Sequence, residues 1–119
     1  TAMQNDILVK SFKAEGNTPG NRIVTLGVAS YSVTQASAVT ETLVGVTHNL
    51  DAADGGIADV VVAGIPMVKA GAAITKGSYV TTNATGQAIA VSAGTDRTIG
   101  IALEAASAGD LVPVLLTQA

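Results

Sequence analysis

The sequence predicts an all-β protein, a compact barrel or sandwich of short strands with at most a short helical turn. Three observations carry this. Thirteen Gly and three Pro among 119 residues cut the chain into short apolar runs, so no segment keeps a helical period for long. The runs are rich in Val, Ile and Thr, whose branched side chains suit a pleated surface. Clusters of turn formers separate them at intervals of roughly ten residues, the rhythm of an all-β domain. Hydrophobic residues make up 48% of the chain but include only one Phe, two Tyr and no Trp, so the core must be assembled from small aliphatic side chains.

Residues 7–12 (Ile-Leu-Val-Lys-Ser-Phe) open the first strand, and Gly16-Asn17-Thr18-Pro19-Gly20 closes it with a turn cluster. Residues 22–29 form a second β-branched run. Residues 39–47 follow, with Val39, Leu43, Val44 and Val46 as apolar members. Asp54-Gly55-Gly56 reads as a turn before the run at 57–62. Later strands are expected at 78–82, 87–91, 98–103 and 111–116, separated by turns at 83–86, 94–96 and 108–110. Helix competes at two places. Residues 102–108 are strong helix formers with Gly109 as a candidate C-cap, yet two turns of helix are marginal without tertiary support. At 34–42, Ala36 and Ala38 tolerate helix whereas Val39, Thr40 and Thr42 lean to strand. Residues 1–6 are polar and read as an N-terminal arm, either disordered or ordered on a partner.

A weak internal repeat organises the rest. Gln35-Ala36-Ser37-Ala38-Val39 returns as Gln87-Ala88-Ile89-Ala90-Val91, and Leu43-Val44-Gly45-Val46 as Thr98-Ile99-Gly100-Ile101. The run from Gly55 to Val62 returns from Gly109 to Leu116. The offsets are 52, 55 and 54 residues, with the order kept. The expected organisation is one β-domain over 7–119 containing two similar halves, about 28–64 and 77–118. Two copies are too few for a solenoid; a pseudo-symmetric domain in which two like units close one core is the physical reading. Between the copies, Gly71, Ile74, Gly77 and Val80 set bending residues beside apolar anchors. No Gly-Lys-Ser/Thr follows at phosphate-loop spacing, so the stretch is structural.

Composition excludes several functions. Charged residues are 13%, with a formal net charge of −3. Lys10, Lys13, Arg22, Lys69, Lys76 and Arg97 are scattered, whereas a nucleic-acid surface needs several cations on one face. Without cysteine there are no disulfides, thiol chemistry or iron–sulfur clusters. The most apolar run, 57–68, is interrupted by Asp59, Gly64 and Pro66 and is too short to span a bilayer. No targeting segment is seen, so the expectation is a chain made and kept in a cytoplasm-like compartment. His48 is the only histidine, and Ser30, Ser32 and Ser37 lie in no nucleophile motif. Asp51 and Asp54 suggest a calcium loop, but Ala53, Gly55 and Val62 occupy ligand positions, so the EF-hand pattern fails. An improvised carboxylate site with Asp59 is the remaining metal alternative to a polar turn. Asp96, Arg97, Glu104 and Asp110 are isolated, and the shortage of rings speaks against a glycosidase or sugar-binding cleft. We therefore expect no enzyme, catalytic residue, metal site or cofactor. Phe12, Tyr31 and Tyr79 are the only large rings; each either packs the core or anchors a contact with a partner or a second subunit. Met3, in the arm, joins them as a contact candidate.

The run from Gly71 to Ala88, with Ile74-Thr75-Lys76-Gly77-Ser78-Tyr79-Val80 at its centre, is followed by Ile99-Gly100-Ile101-Ala102 and by Gly109-Asp110-Leu111-Val112-Pro113-Val114. Together with Val44-Gly45-Val46 and Gly64-Ile65 these resemble the small capsid cement proteins of tailed bacteriophages. Ser78 departs from that pattern, where an acidic residue is frequent, and the N-terminal segment has no match in it. The resemblance implies a compact β-domain on the exterior of the virion capsid, made in the host bacterial cytoplasm. It implies a homo-oligomer, a trimer with dimers also known, seated between subunits of the major capsid protein and tying them against the pressure of packaged DNA. Neither nucleic acid nor membrane is an expected partner. Two rival readings are another virion part, such as a head fibre base or tail accessory, and a sugar-binding β-module.

Overall fold

A computed structural model describes residues 5–92, 94 and 96–117. Ten strands carry it: β1 (Asn5–Ala14), β2 (Ile23–Leu26), β3 (Ser32–Gln35), β4 (Leu43–Thr47), β5 (Ile57–Ile65), β6 (Met67–Lys69), β7 (Tyr79–Thr82), β8 (Ala88–Ala90), β9 (Gly100–Ala102) and β10 (Leu111–Leu116). The fold is all-β, as the punctuated apolar pattern predicts, and the described residues contain no helix. At 102–108 the chain instead leaves β9 and returns through a bridge between Ala106 and Ile74; at 34–42 it finishes β3 and loops into β4. Two strands went unread in the sequence. The run at 22–29 ends at Leu26, and Ser32–Gln35 forms a strand of its own. Met67–Lys69 is the other, set off from β5 by Pro66 alone.

The strands form a closed barrel, in the order β1-β3-β2-β4-β5, and a five-stranded sheet, in the order β6-β10-β9-β7-β8. Read around the barrel from β1 through β5, the order becomes β1-β5-β4-β2-β3, which is the order of the second sheet with each label advanced by five. The parallel contact that closes the barrel, Ala14 with Val33, has its counterpart in a parallel bridge between Ala70 and Ala88.

Backbone hydrogen bonds repeat in the same way. Ala14 N–H donates to Gly56 O, and Ala70 N–H to Asp110 O, both at 2.8 Å. Gly55 N–H donates to Ala14 O as Gly109 N–H does to Ala70 O. The bridge between Thr18 and Ala52 recurs between Ile74 and Ala106. Ala36 N–H donates to Ile23 O at 3.0 Å, and Val91 N–H to Tyr79 O at 2.9 Å. The offsets run from 54 to 56 residues, so β1–β5 and β6–β10 are two copies of one unit. The apparent match of Gln35 with Gln87 is thereby three residues out of step, because the partner of Ala36 is Val91. Asn5 and Asp6 already pair with β5, at Ile65 and Gly64.

The core follows the duplication. Inside the first unit, Ala14, Val24, Val33, Ala52, Ala58 and Val60 pack together; inside the second, the counterparts Ala70, Val80, Ala88, Val112 and Val114 do the same. Burying each Val contributes about 1.5–3 kcal/mol. Neighbouring strands of one sheet approach closely at two matched glycines. A Cβ on Gly45 would collide with the carbonyl oxygen of Val61, and one on Gly100 with that of Leu115.

Candidate functional site

Equivalent positions of the two units meet different surroundings. In the first unit Ile23, Ala36, Leu43 and Val46 belong to the core of the second unit, and none is more than 8% exposed. On β2, Ile23 and Val24 point to opposite faces, as strand alternation requires, so Ile23 and its neighbours form the outer face of the first unit. Their counterparts are Tyr79, Val91, Thr98 and Ile101. None of these is buried, and Tyr79 is 55% exposed. A cleft of about 450 Å³ opens on this outer face of the second unit, lined in part by Ser78, Tyr79, Ala90, Val91, Asp96 and Thr98.

What covers the first unit's face is the rim of the second unit. The tip between β7 and β8 brings Gly86 O to Ile23 N–H at 2.8 Å, and a Cβ at Gly86 would stand 2.9 Å from Gln35 Cγ. Lys69 N–H donates to Asn21 O at 2.9 Å, and Asn21 Nδ2 donates to Met67 O at 3.0 Å. The corresponding rim of the first unit is open: Phe12, Val44 and Val62 are only partly buried over the barrel interior, whereas Val68 and Ile99, counterparts of the first two, are buried.

The tip at that open rim, residues 27–31 between β2 and β3, is apolar and held rigidly. Glu15 Oε1 accepts the Val28 N–H at 2.9 Å; Glu15 Oε2 accepts the Ala29 N–H at 2.8 Å and the Ser32 hydroxyl at 2.6 Å. These bonds, the Ser32 hydroxyl foremost, favour the ionised carboxyl and lower its pKa from the ordinary 4.5. Lys13 N–H donates to Tyr31 O at 2.9 Å. Tyr31 sits at φ 57°, a left-handed conformation that costs a bulky residue about 1–3 kcal/mol. The tip nevertheless leaves Val28 fully exposed and Tyr31 78% exposed, beside Leu26 at 55%.

The predicted contact residues thus fall into separate places. Phe12 packs on the interior of the barrel and Tyr31 stands on the tip at the same end; Tyr79 lies on the second unit's outer face. Met3 lies outside the described residues. Glu15, Val28 and the Ile23–Val46 face were missed, and a three-residue correction of the repeat register would have pointed to that face. His48 Nε2 pairs with Asp6 Oδ2 at 3.0 Å and Nδ1 with Asn49 Oδ1 at 2.8 Å, tying the start of β1 to the end of β4. Asp51 and Asp54 accept the N–H groups of Gly20 and Gly16, and Asp59 accepts the Ser11 hydroxyl. Asp51 and Asp54 brace loops, whereas Asp59 ties β5 to β1. Among the described residues no three His, Asp or Glu gather as metal ligands, and no helix is long and apolar enough to cross a membrane.

A scaffold of two like units with apolar outer faces suits a protein whose work is contact. The sequence matches the phage cement protein family over residues 3–117, and the chain belongs to that family. It is a structural protein of the phage virion, associated with the capsid. Among solved structures, the fold is similar to the N base of the head fibre protein gp8.5 of bacteriophage phi29. That likeness has a TM-score of 0.74 at 20% identity and covers 92% of this chain and 93% of the other. No curated protein matches the sequence significantly.

Proposed function

We propose that this protein binds the outer surface of the mature phage head between subunits of the major capsid protein, as a homotrimer, and stabilises the shell against the pressure of packaged DNA. The family match across nearly the whole chain carries this reading. The mechanism is mechanical. A protein that binds only the assembled shell stabilises it by mass action, and one oligomer that holds several capsid subunits adds modest contacts through multivalency. Exposed apolar residues on two units supply such contacts. The chain is made in the host cytoplasm and ends on the exterior of the particle.

Titrating purified protein onto mature capsids that lack it tests this. Saturable binding is expected, together with higher resistance of the shell to heat and chelators. Absence of saturation, or binding with no gain in resistance, would count against the proposal. A second reading, the base of a head fibre, is favoured by the similarity to the gp8.5 base. Electron cryo-microscopy of the particle separates the two: a cement protein occupies sites between capsomers throughout the lattice, and a fibre base carries a projecting shaft.

A further inference from the structure

The chain repeats one unit twice but satisfies only one of the two unit-to-unit contacts that the repeat offers. Within the chain, the rim of the second unit covers the outer face of the first, at Ile23, Ala36, Leu43 and Val46. The same face on the second unit, at exposed Tyr79 and half-buried Val91, Thr98 and Ile101, is covered by no unit rim among the described residues and holds the cleft. At the other end of the chain, the rim of the first unit, with half-buried Phe12, Val44 and Val62, is likewise without a second unit's cover among the described residues. An open socket and an open plug of one kind therefore sit on one molecule.

We infer that the outer face of the second unit is the docking site for the first unit of a second copy of this chain, which seats its rim and its β2–β3 tip there. The occupant is set by equivalence: the surface that fits this face is already seen on its counterpart within the chain. The inference deepens the homotrimer of the proposed function and rests on it.

The units differ where an inter-chain contact would ask them to. In the second unit the β7–β8 tip is a short polar Asn83-Ala84-Thr85-Gly86 turn, and it touches Ile23 and Gln35. In the first unit the tip is one residue longer and carries Val28 and Tyr31 into solvent. The Lys69 amide is taken across the units by Asn21, whereas the Lys13 amide is taken by Tyr31 of its own tip. The first unit thus seals its own seam and presents a stiff apolar knob at the rim, facing the kind of surface that on the second unit contains a cleft. A Tyr in a left-handed conformation, its carbonyl taking the Lys13 N–H in a tip that Glu15 clamps at Val28, Ala29 and Ser32, yet mostly exposed, gains little packing within one chain. Such a contact uses two different surfaces of one molecule, so it is heterologous and builds a ring when the rotation closes. Three chains then form a ring of six like units.

Sedimentation equilibrium of the full chain, its Tyr79→Lys and Ala90→Glu variants in the cleft, and its Val28→Glu variant on the tip, tests the interface. These side chains are exposed, and unchanged far-UV circular dichroism verifies folding. The wild type is expected as a trimer, with each variant falling about threefold in mass. Mixing Tyr79→Lys with Val28→Glu pairs one intact tip with one intact face, so a 1:1 heterodimer should form that grows no further. A wild type that oligomerises while all variants keep its mass would overturn the interface and leave the trimer standing. A wild type that is monomeric yet binds capsids saturably would overturn the interface and the trimer but not the cement role.

Discussion

Glu15 links backbone order to charge at a single surface residue. Its carboxylate accepts three hydrogen bonds from Val28, Ala29 and Ser32, and these lower its pKa below 4.5. A carboxyl whose folded pKa is depressed contributes stability above its unfolded value and loses it as pH falls through the folded value. Order in the tip should therefore be constant from neutral pH down to about 5 and decline in stronger acid. Glu15→Gln removes the charge at every pH. Amide exchange at Val28 and Ala29 should then rise by roughly tenfold at pH 6, with the rest of the barrel unchanged. Exchange that stays at the wild-type rate would mean that the tip is held by Tyr31 and Gly27 instead. Gly27 is part of the same clamp, since a Cβ there would meet the Ser32 hydroxyl at 2.5 Å and the Glu15 carboxyl carbon at 2.6 Å.

Among the strands, the paired glycines of β4 and β9 carry the most specific requirement. Gly45 lies against Val60 and Val61 of β5, and Gly100 against Val114 and Leu115 of β10. In both cases the obstacle to a side chain is backbone, which cannot rotate aside. Gly45→Ala and Gly100→Ala should each cost about 1–3 kcal/mol in urea denaturation. Gly94→Ala has open space around it and should stay within about 0.5 kcal/mol of wild type. Equal stability of the three would refute the close approach. This glycine pair was legible in the sequence, because a Gly flanked by Val or Ile in two like runs has few other uses. The apolar strands β5 and β10 were legible as continuous runs that follow turn clusters. β3 was not: Ser32, Thr34 and Gln35 are polar, and its one apolar residue, Val33, shows no alternation. β6 was hidden because Pro66 interrupts a continuous apolar run without adding a turn cluster. Tyr31 and Tyr79 stood out as rings, yet nothing in their spacing relates them. Tyr79 occupies the place of Ile23, and the equivalence shows in the structure, in the hydrogen bond that each accepts, from Val91 and from Ala36.

Over the whole molecule the duplication creates dependence between the units. The core of the second unit is completed by Ile23, Ala36, Leu43 and Val46 of the first. A separated second unit would expose that apolar interior to water, and a chain of about 50 residues buries too small a fraction of its surface to compensate. The two units should therefore unfold together in one cooperative transition. Each unit carries a single Tyr, at 31 and 79, so Tyr79→Phe leaves a fluorescent reporter in the first unit and Tyr31→Phe leaves one in the second. Thermal melts of the two variants, taken at one protein concentration because association shifts the midpoint, should coincide. Ile23→Ala, which opens a cavity at the junction, should cost about 2–5 kcal/mol and lower both reporters' midpoints by the same amount. Were Tyr79 to report a large shift while Tyr31 reported none, the units would be independently stable and the shared core would be a contact surface only. Coincident shifts would mean that strain applied at either end of the chain is borne by one body. The proposed clamp between neighbouring capsid subunits requires that property, since a junction that yielded first would release the load before either contact failed.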